Sequence, residues 1–486
     1  MEQSKHYVDS YELKVNDIIV NVSIYSDYNE PVPIYSISIT NISETTKIIL
    51  EKIREEFVSQ GAGMLEGEGM PEISDIQNEF KKSILILVRK YFPTANKKTI
   101  DMLISYILQQ NIGLGNIEIL LKDKNLEEIV INSAKEPIWV YHRRHGWLKT
   151  NIIMPNEGRI RYYSTIIGRD VGKEITALNP LMDAHLKTGD RVNSTLTPIS
   201  SRGNTITIRK FAVRPWTITE FIKEKTISYE AAALIWMAVQ NELSILIAGG
   251  TASGKTSMLN VVANFFPPNQ RIISLEDTRE LMLPEILHWV PLETRLPNPE
   301  GKGGISMLDL VINSLRMRPD RIMVGEIRRK AEAEVLFEAM HTGHSVYGTL
   351  HANNVKETIN RLTQPPIGLP KQILSALSLI VVQHINRRDG KRRTLQIGEI
   401  METGDAKALM QLNAVNDTLE KINEPAAIYE TLSLYTGLSK EDIEKDINEK
   451  IDILKWMVEK NIGDINKIGL IMSKYYRKQP FKDVIK

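Results

Sequence analysis

The chain has 486 residues, 61 of them basic and 60 acidic, for a formal net charge of +1, and it contains no cysteine. At roughly 100–200 residues per domain that length predicts about two or three domains, and 42% hydrophobic with 25% charged residues excludes a disordered chain. Disulfides, thiol catalysis, iron–sulfur clusters and cysteine-ligated zinc are excluded as well, and balanced charge exerts no overall pull on nucleic acid or anionic lipid.

The N-terminus, MEQSKHYVDSYELKVND, is polar and mixed in charge and lacks the apolar stretch of a secretory signal. No run of about 18 apolar residues occurs, so no membrane span is expected and the chain reads as soluble and intracellular. Residues 1–70 alternate extended runs at Ile18–Ile24 and Ile34–Ile42 with a helix near Thr45–Val58, and read as a small, loosely attached N-terminal segment. Four glycines between Gly61 and Gly69 suggest a flexible joint.

From residue 71 to residue 215 the pattern is that of an α+β domain. Ile76–Tyr91 and Asn96–Gln110 read as helices. Pro137–Tyr141 and Trp147–Ile152 flank Arg144-His145-Gly146 as a hairpin, and Thr205–Arg209 alternates as a half-buried strand. A connector over 216–227 leads to a third region, 228–486, where strands alternate with helices. Such alternation predicts a mostly parallel sheet covered on both faces. Asp389-Gly390 marks an antiparallel hairpin beside that sheet. The end is helical: Ser439-Lys440-Glu441-Asp442 is an N-terminal cap signal, followed by Ile443, Ile447, Ile451, Leu454 and Val458 on one face.

The apolar run ending at Ala248 passes into Gly249-Gly250-Thr251-Ala252-Ser253-Gly254-Lys255-Thr256, a G-x-x-x-x-G-K-T phosphate loop, or Walker A. Its glycines let successive backbone N–H groups turn inward around an anion, and the positive end of the next helix points at the same place. Lys255 supplies a charge for the β- and γ-phosphates. The Thr256 hydroxyl suits a Mg²⁺ ligand, with Ser257 behind it. Hydrolysis also needs carboxylates. Arg271–Leu275 ends in Glu276-Asp277, and Arg321–Val324 ends in Gly325-Glu326, a Walker B strand with glycine where many ATPases place Asp. Glu326 is the leading general base or water-positioning residue, and Glu276 and Glu326 are candidate Mg²⁺ ligands alongside Thr256. His351 ends a further apolar strand and is placed to sense phosphate, with His344 in the same histidine cluster. Arg316 and Arg318 precede the Walker B strand and are candidates to stabilise the transferring phosphoryl group.

Walker A, Ile273-Ser274-Leu275-Glu276-Asp277, Ile322-Met323-Val324-Gly325-Glu326 and His344 through Thr349-Leu350-His351 together resemble the secretion ATPases of type II secretion and type IV filament systems. Gly189-Asp190-Arg191-Val192 and Thr207-Ile208-Arg209-Lys210-Phe211 look like the archaeal branch, which drives the archaellum or archaeal adhesive pili. The resemblance implies a homohexameric ring in which a RecA-like P-loop motor domain follows an α+β N-terminal domain. It implies ATP and Mg²⁺ as cofactors, a polytopic membrane platform protein and accessory cytoplasmic motor proteins as partners, and a cytoplasmic position at the inner face of the membrane. It also implies nucleotide contacts from N-terminal-domain arginines, for which Arg191 and Arg209 are the candidates. No nucleic-acid partner is expected. The competing readings are a hexameric RecA-like helicase or DNA translocase, supported by five basic residues between Arg387 and Arg393, and a nucleotide-gated scaffold without turnover.

Overall fold

The computed structural model describes residues 5–15, 18–39, 42–61, 73–111, 114–186, 188–210, 214–295, 297 and 301–485. The chain divides into two compact units, Met1–Phe211 and Ala212–Lys486.

The first unit contains β1 (His6–Val15), β2 (Ile18–Ser26), β3 (Ile34–Ile39), α1 (Glu44–Gly61), α2 (Ile73–Tyr91), α3 (Lys97–Asn111) and α4 (Asn116–Lys122). They are followed by β4 (Leu126–Ile131), β5 (Pro137–His142), β6 (Gly146–Ile153), α5 (Glu157–Asp170), β7 (Leu181–His185), β8 (Arg191–Thr195) and β9 (Thr205–Arg209). The nine strands form one sheet in the order β1-β2-β3-β6-β5-β4-β9-β8-β7. The expected hairpin is present as the antiparallel β5–β6 pair.

Here the structure departs from the expected boundary at residue 70. Strand β3 pairs with β6, and Val20, Val22 and Ile24 share one apolar cluster with Ile129, Val140 and Ile208. The physical reason is the period-2 pattern of β2, which buries every second side chain and leaves an apolar face that a short meander cannot cover by itself. Residues 62–69 of the expected glycine joint lie outside the described residues.

The second unit begins earlier than expected. The supposed connector carries α6 (Ile218–Lys223), capped reciprocally by Thr217 and Glu220, with Ile218, Phe221 and Ile222 in the core. Then follow α7 (Tyr229–Gln240), β10 (Ile245–Gly249), α8 (Lys255–Ala263), β11 (Arg271–Glu276), β12 (His288–Glu293), α9 (Met307–Ser314), β13 (Arg321–Val324), α10 (Lys330–His341), β14 (Ser345–Leu350) and α11 (Val355–Thr363). Strands β15 (Leu379–Ile385), β16 (Arg392–Ile400), β17 (Ala406–Asn413) and β18 (Thr418–Lys421) precede α12 (Ala426–Thr436), α13 (Lys440–Glu459) and α14 (Ile465–Tyr476).

The sheet order is β12-β11-β13-β14-β10-β15-β16-β17-β18. Strands β12 through β15 are parallel, and β16 to β18 add antiparallel strands at one side. Both faces are buried. In β10, Ile245 and Ile247 enter one core and Leu246 and Ala248 the other. Strand β15 alternates the same way, with Leu379 and Val381 opposite Ile380 and Val382. A strand buried on both sides reads as a continuous apolar run, which is how these strands appear in the sequence. Helix α13 has its reciprocal Ser439–Asp442 cap, and Ile443, Leu454 and Met457 pack into the core. Among the described residues no helix is long and apolar enough to cross a membrane.

Candidate active site: a phosphate loop and a chain of charged side chains

Parallel strands send their carboxyl ends to one edge of a sheet, where the loops that follow them meet. At this edge β10 passes into the phosphate loop. Gly249 lies against β15, and a Cβ there would sit 2.6 Å from the Gln383 carbonyl oxygen. Gly254 is left-handed, with φ +94°, and forms the N-cap of α8, a conformation glycine adopts without a steric penalty. The Gly250 carbonyl accepts from the Ser253 hydroxyl at 2.8 Å and from Lys255 Nζ at 2.9 Å. The loop therefore keeps its curvature through its own side chains, and the start of α8 is the kind of helix N-terminus that can accept an anion. Thr251, Ala252, Thr256 and Ser257 are not fully buried.

A line of contacts runs from Lys255 along this edge. Lys255 Nζ is 3.4 Å from His351 Nδ1, and His351 Nε2 is 2.9 Å from Glu326 Oε1. An ammonium only donates, so Nδ1 is the acceptor and the proton on Nε2 faces Glu326. Burial and the Lys255 charge hold His351 below the ordinary imidazole range, with Glu326 opposing them. Arg328 closes the line. Its Nε and Nη2 donate to Glu326 Oε2 at 2.9 and 2.6 Å, and its Nη1 donates to Asp277 Oδ2 at 2.5 Å. One guanidinium thus ties the carboxylates that end β11 and β13.

Glu276 lies deeper. It is 2% exposed, and Oε1 accepts the backbone N–H groups of Glu280 and Leu281 at 2.8 and 2.9 Å. Burial pushes its carboxyl up to about 7, with those two donors opposing the shift. Its Oε2 is buried and has no hydrogen-bond partner. A Cβ at Gly325 would stand 3.4 Å from Glu276 Cγ, an ordinary contact, so the glycine at the usual Asp position lies directly against this carboxylate's side chain. An orphaned, buried carboxylate oxygen fits a divalent cation, whose charge would remove the cost of ionising Glu276. Among the described residues no three His, Asp or Glu side chains form an all-protein cage. A cation that keeps waters and phosphate oxygens needs none.

Three expected residues stand elsewhere. His344 immediately precedes β14, whereas His351 immediately follows it. Seven steps of about 3.3 Å each separate the two by roughly 23 Å. His344 instead lies within hydrogen-bond reach of the Ala339 carbonyl, at 3.3 Å. Arg316 and Arg318 precede β13 and are exposed, so they too sit at the amino edge and this chain does not bring them to its own phosphate loop. Arg191 and Arg209 belong to the first unit, where they are direct cross-strand neighbours on β8 and β9. Arg191 Nη2 is paired with Asp183 at 2.6 Å.

Two site residues lacked an assignment in the sequence. Arg328 is two residues past Glu326, and that proximity was the available signal. Arg392, in the basic hairpin, donates from Nε to the Ala252 carbonyl at 3.0 Å and so braces the phosphate loop. Its neighbour Arg393 is held by Asp417 at 2.7 Å. Two of the five basic side chains of that hairpin are therefore engaged inside the fold.

The family model described as type II/IV secretion system protein matches residues 173–461. The uncharacterized protein MJ0900 of Methanocaldococcus jannaschii is 35% identical over 386 residues, 77% of this chain and 69% of that protein. The type IV secretion system protein PtlH of Bordetella pertussis is 28% identical across 56% of this chain and 89% of its own length. Among solved structures, the ATPase DotB of Legionella pneumophila aligns with a TM-score of 0.44 at 21% identity, covering 76% of this chain and 93% of that one. The phosphate loop with carboxylates on neighbouring strand ends is the machinery of nucleoside triphosphate hydrolysis, and the chain is a P-loop ATPase belonging to the type II/IV secretion system protein family.

Proposed function

We propose that this ATPase is a homohexameric RecA-like motor that powers an archaeal filament, an archaellum or type IV pilus, or the related secretion process. It works at the cytoplasmic face of the membrane through a polytopic platform protein and accessory cytoplasmic motor proteins. The observation that carries the reading is the unbroken line Lys255–His351–Glu326–Arg328–Asp277, which connects the phosphate-binding lysine to both acidic strand ends. The family match and the archaeal relative support the setting.

ATP enters with its β- and γ-phosphates against Lys255 and the N-terminus of α8. Thr256, Glu276 and Glu326 are the residues that would hold Mg²⁺, which supplies charge for the phosphates. Lys255 then turns from His351 to phosphate. His351 retains Glu326 through Nε2–H, and Glu326 orients the attacking water and accepts its proton. Arg328 keeps Glu326 and Asp277 in register. Arg191 and Arg209 are the first unit's proposed nucleotide contacts. The engagement of Arg392 and Arg393 inside the fold weighs against the DNA translocase.

Glu326→Gln tests the mechanism. The amide keeps shape and loses the base, so ATP should bind with near-normal affinity while turnover falls by roughly a hundredfold or more. Normal turnover in that variant would sink the assignment.

A further inference from the structure

Most of the exposed large apolar side chains described in the second unit fall in one stretch, with Ile312 and Leu470 exposed outside it. Leu434 is 79% exposed, Tyr435 70% and Leu438 38%, at the corner where α12 ends and α13 begins. Val415 and Ile422, in the same stretch, are also exposed. The corner has a structural cause. Ile428 and Leu432 bury the inner face of α12. Leu434 follows Leu432 by two residues, which at about 100° each places it on the opposite side. Gly437, left-handed at φ +72°, then ends the helix, and every residue from Leu434 to Asp442 is exposed. Three large apolar side chains at one protruding corner are more than the scattered single residues an ordinary surface shows.

The charge around them is one-sided. Val415–Lys450 contains nine acidic and four basic residues in a chain whose net charge is +1, and Asp417, Glu424, Glu444 and Asp446 are paired with Arg393, Lys421, Lys440 and Lys450. Glu430, Glu441 and Glu444 are exposed near the apolar corner in sequence, Glu444 with Lys440 3.6 Å away. Such a field repels nucleic acid and anionic lipid. It also disfavours pairing of this corner with the same corner of a second copy, since isologous contact brings like charges together.

We propose that the α12–α13 corner is a docking surface for a basic amphipathic helix of a partner protein. The apolar face of that helix covers Leu434, Tyr435 and Leu438, and its Lys and Arg residues face the acidic rim. The mode is that of a helix seated by anchors one turn apart. This surface is separate from the nucleotide site and uses none of its residues.

The test uses the full chain and a labelled helical peptide of about 18 residues, five turns, with Leu on one face and Lys on the other. A Leu/Glu peptide of the same pattern is the control, and binding is read by fluorescence anisotropy. The wild-type chain should bind the Leu/Lys peptide and not the Leu/Glu peptide. Binding should weaken as salt rises from about 0.1 M to about 1 M, which shortens the Debye length from roughly 10 Å to roughly 3 Å. Leu434→Ser with Tyr435→Ser should lower affinity roughly tenfold or more, as loss of apolar anchors does, and Glu441→Lys with Glu444→Lys should act in the same direction. Both variants should keep wild-type ATPase turnover, which shows that they fold. Unchanged peptide affinity in the serine variant, or equal binding of the Leu/Glu peptide, would overturn the proposal. So would wild-type self-association in sedimentation that the serine variant abolishes, because the occupant would then be a second copy.

Discussion

Arg328 shows how one side chain organises the edge that carries the phosphate loop. It is more than half exposed, so its ion pairs are screened and their worth lies in geometry more than in stability. Three contacts to two carboxylates fix the rotamer of Glu326 relative to Asp277. Arg328→Met should therefore leave ATP binding nearly intact and lower kcat by roughly tenfold, the effect of misplacing a water-orienting group. Steady-state ATPase assays that separate kcat from KM check this, and a fall confined to binding would contradict it. Arg328→Lys should not rescue, because an ammonium cannot span two carboxylates as a fork does.

At the scale of elements, β5 carries a titrating group of a different kind. His142 is 1% exposed, its Nδ1 accepts the Arg144 N–H at 3.1 Å, and its Nε2 is buried without a partner. Burial and the nearby His145 push its imidazole down from 6.5 to about 4, with Asp123 and Asp9 opposing them. The sign follows from linkage. The unfolded state protonates near pH 6.5 and the folded state only near pH 4, so stability is full above 6.5 and is lost as pH falls through that window. The loss is at most roughly 3 kcal/mol, because each pH unit of that window weakens the fold by no more than about 1.36 kcal/mol. His142→Gln keeps an acceptor for Arg144 and does not titrate. Urea midpoints measured from pH 7.5 to pH 4 should fall less steeply in that variant than in the wild type. Parallel curves would show that His142 is not the cause.

At the scale of the molecule, among the described residues each unit has its own apolar clusters, one in Met1–Phe211 and one on each side of the second sheet. Calorimetry should show that ATP with Mg²⁺ raises the transition of the unit that contains the phosphate loop. A ligand at a hundred times its Kd adds about 2.7 kcal/mol to the state that binds it. Lys255→Ala removes the charge proposed to hold the phosphates and should abolish the shift. A shift of equal size in Lys255→Ala would place the nucleotide elsewhere.

What the sequence determined by itself is local chemistry. The phosphate loop is legible because its eight residues are contiguous and their backbone builds the cradle. Glu276, Glu326 and His351 are legible because each ends an apolar strand, and chain direction alone assigns strand ends to one edge of a parallel sheet. The same rule, applied to residues that precede strands, places Arg316, Arg318 and His344 at the other edge. The doubly buried strands and the capped helix α13 are legible because period and caps are short-range signals. Tertiary structure decided the rest. Lys255 meets His351 across 96 positions and Arg328 meets Asp277 across 51. Those meetings depend on the order β11-β13-β14-β10, which periodicity does not encode. The same holds for β2 and β3, whose alternation specified strands but not the sheet they would join, while β1 was not read as a strand at all. Burial supplied that answer, because an apolar face must be covered and only the neighbouring sheet and helices could cover it.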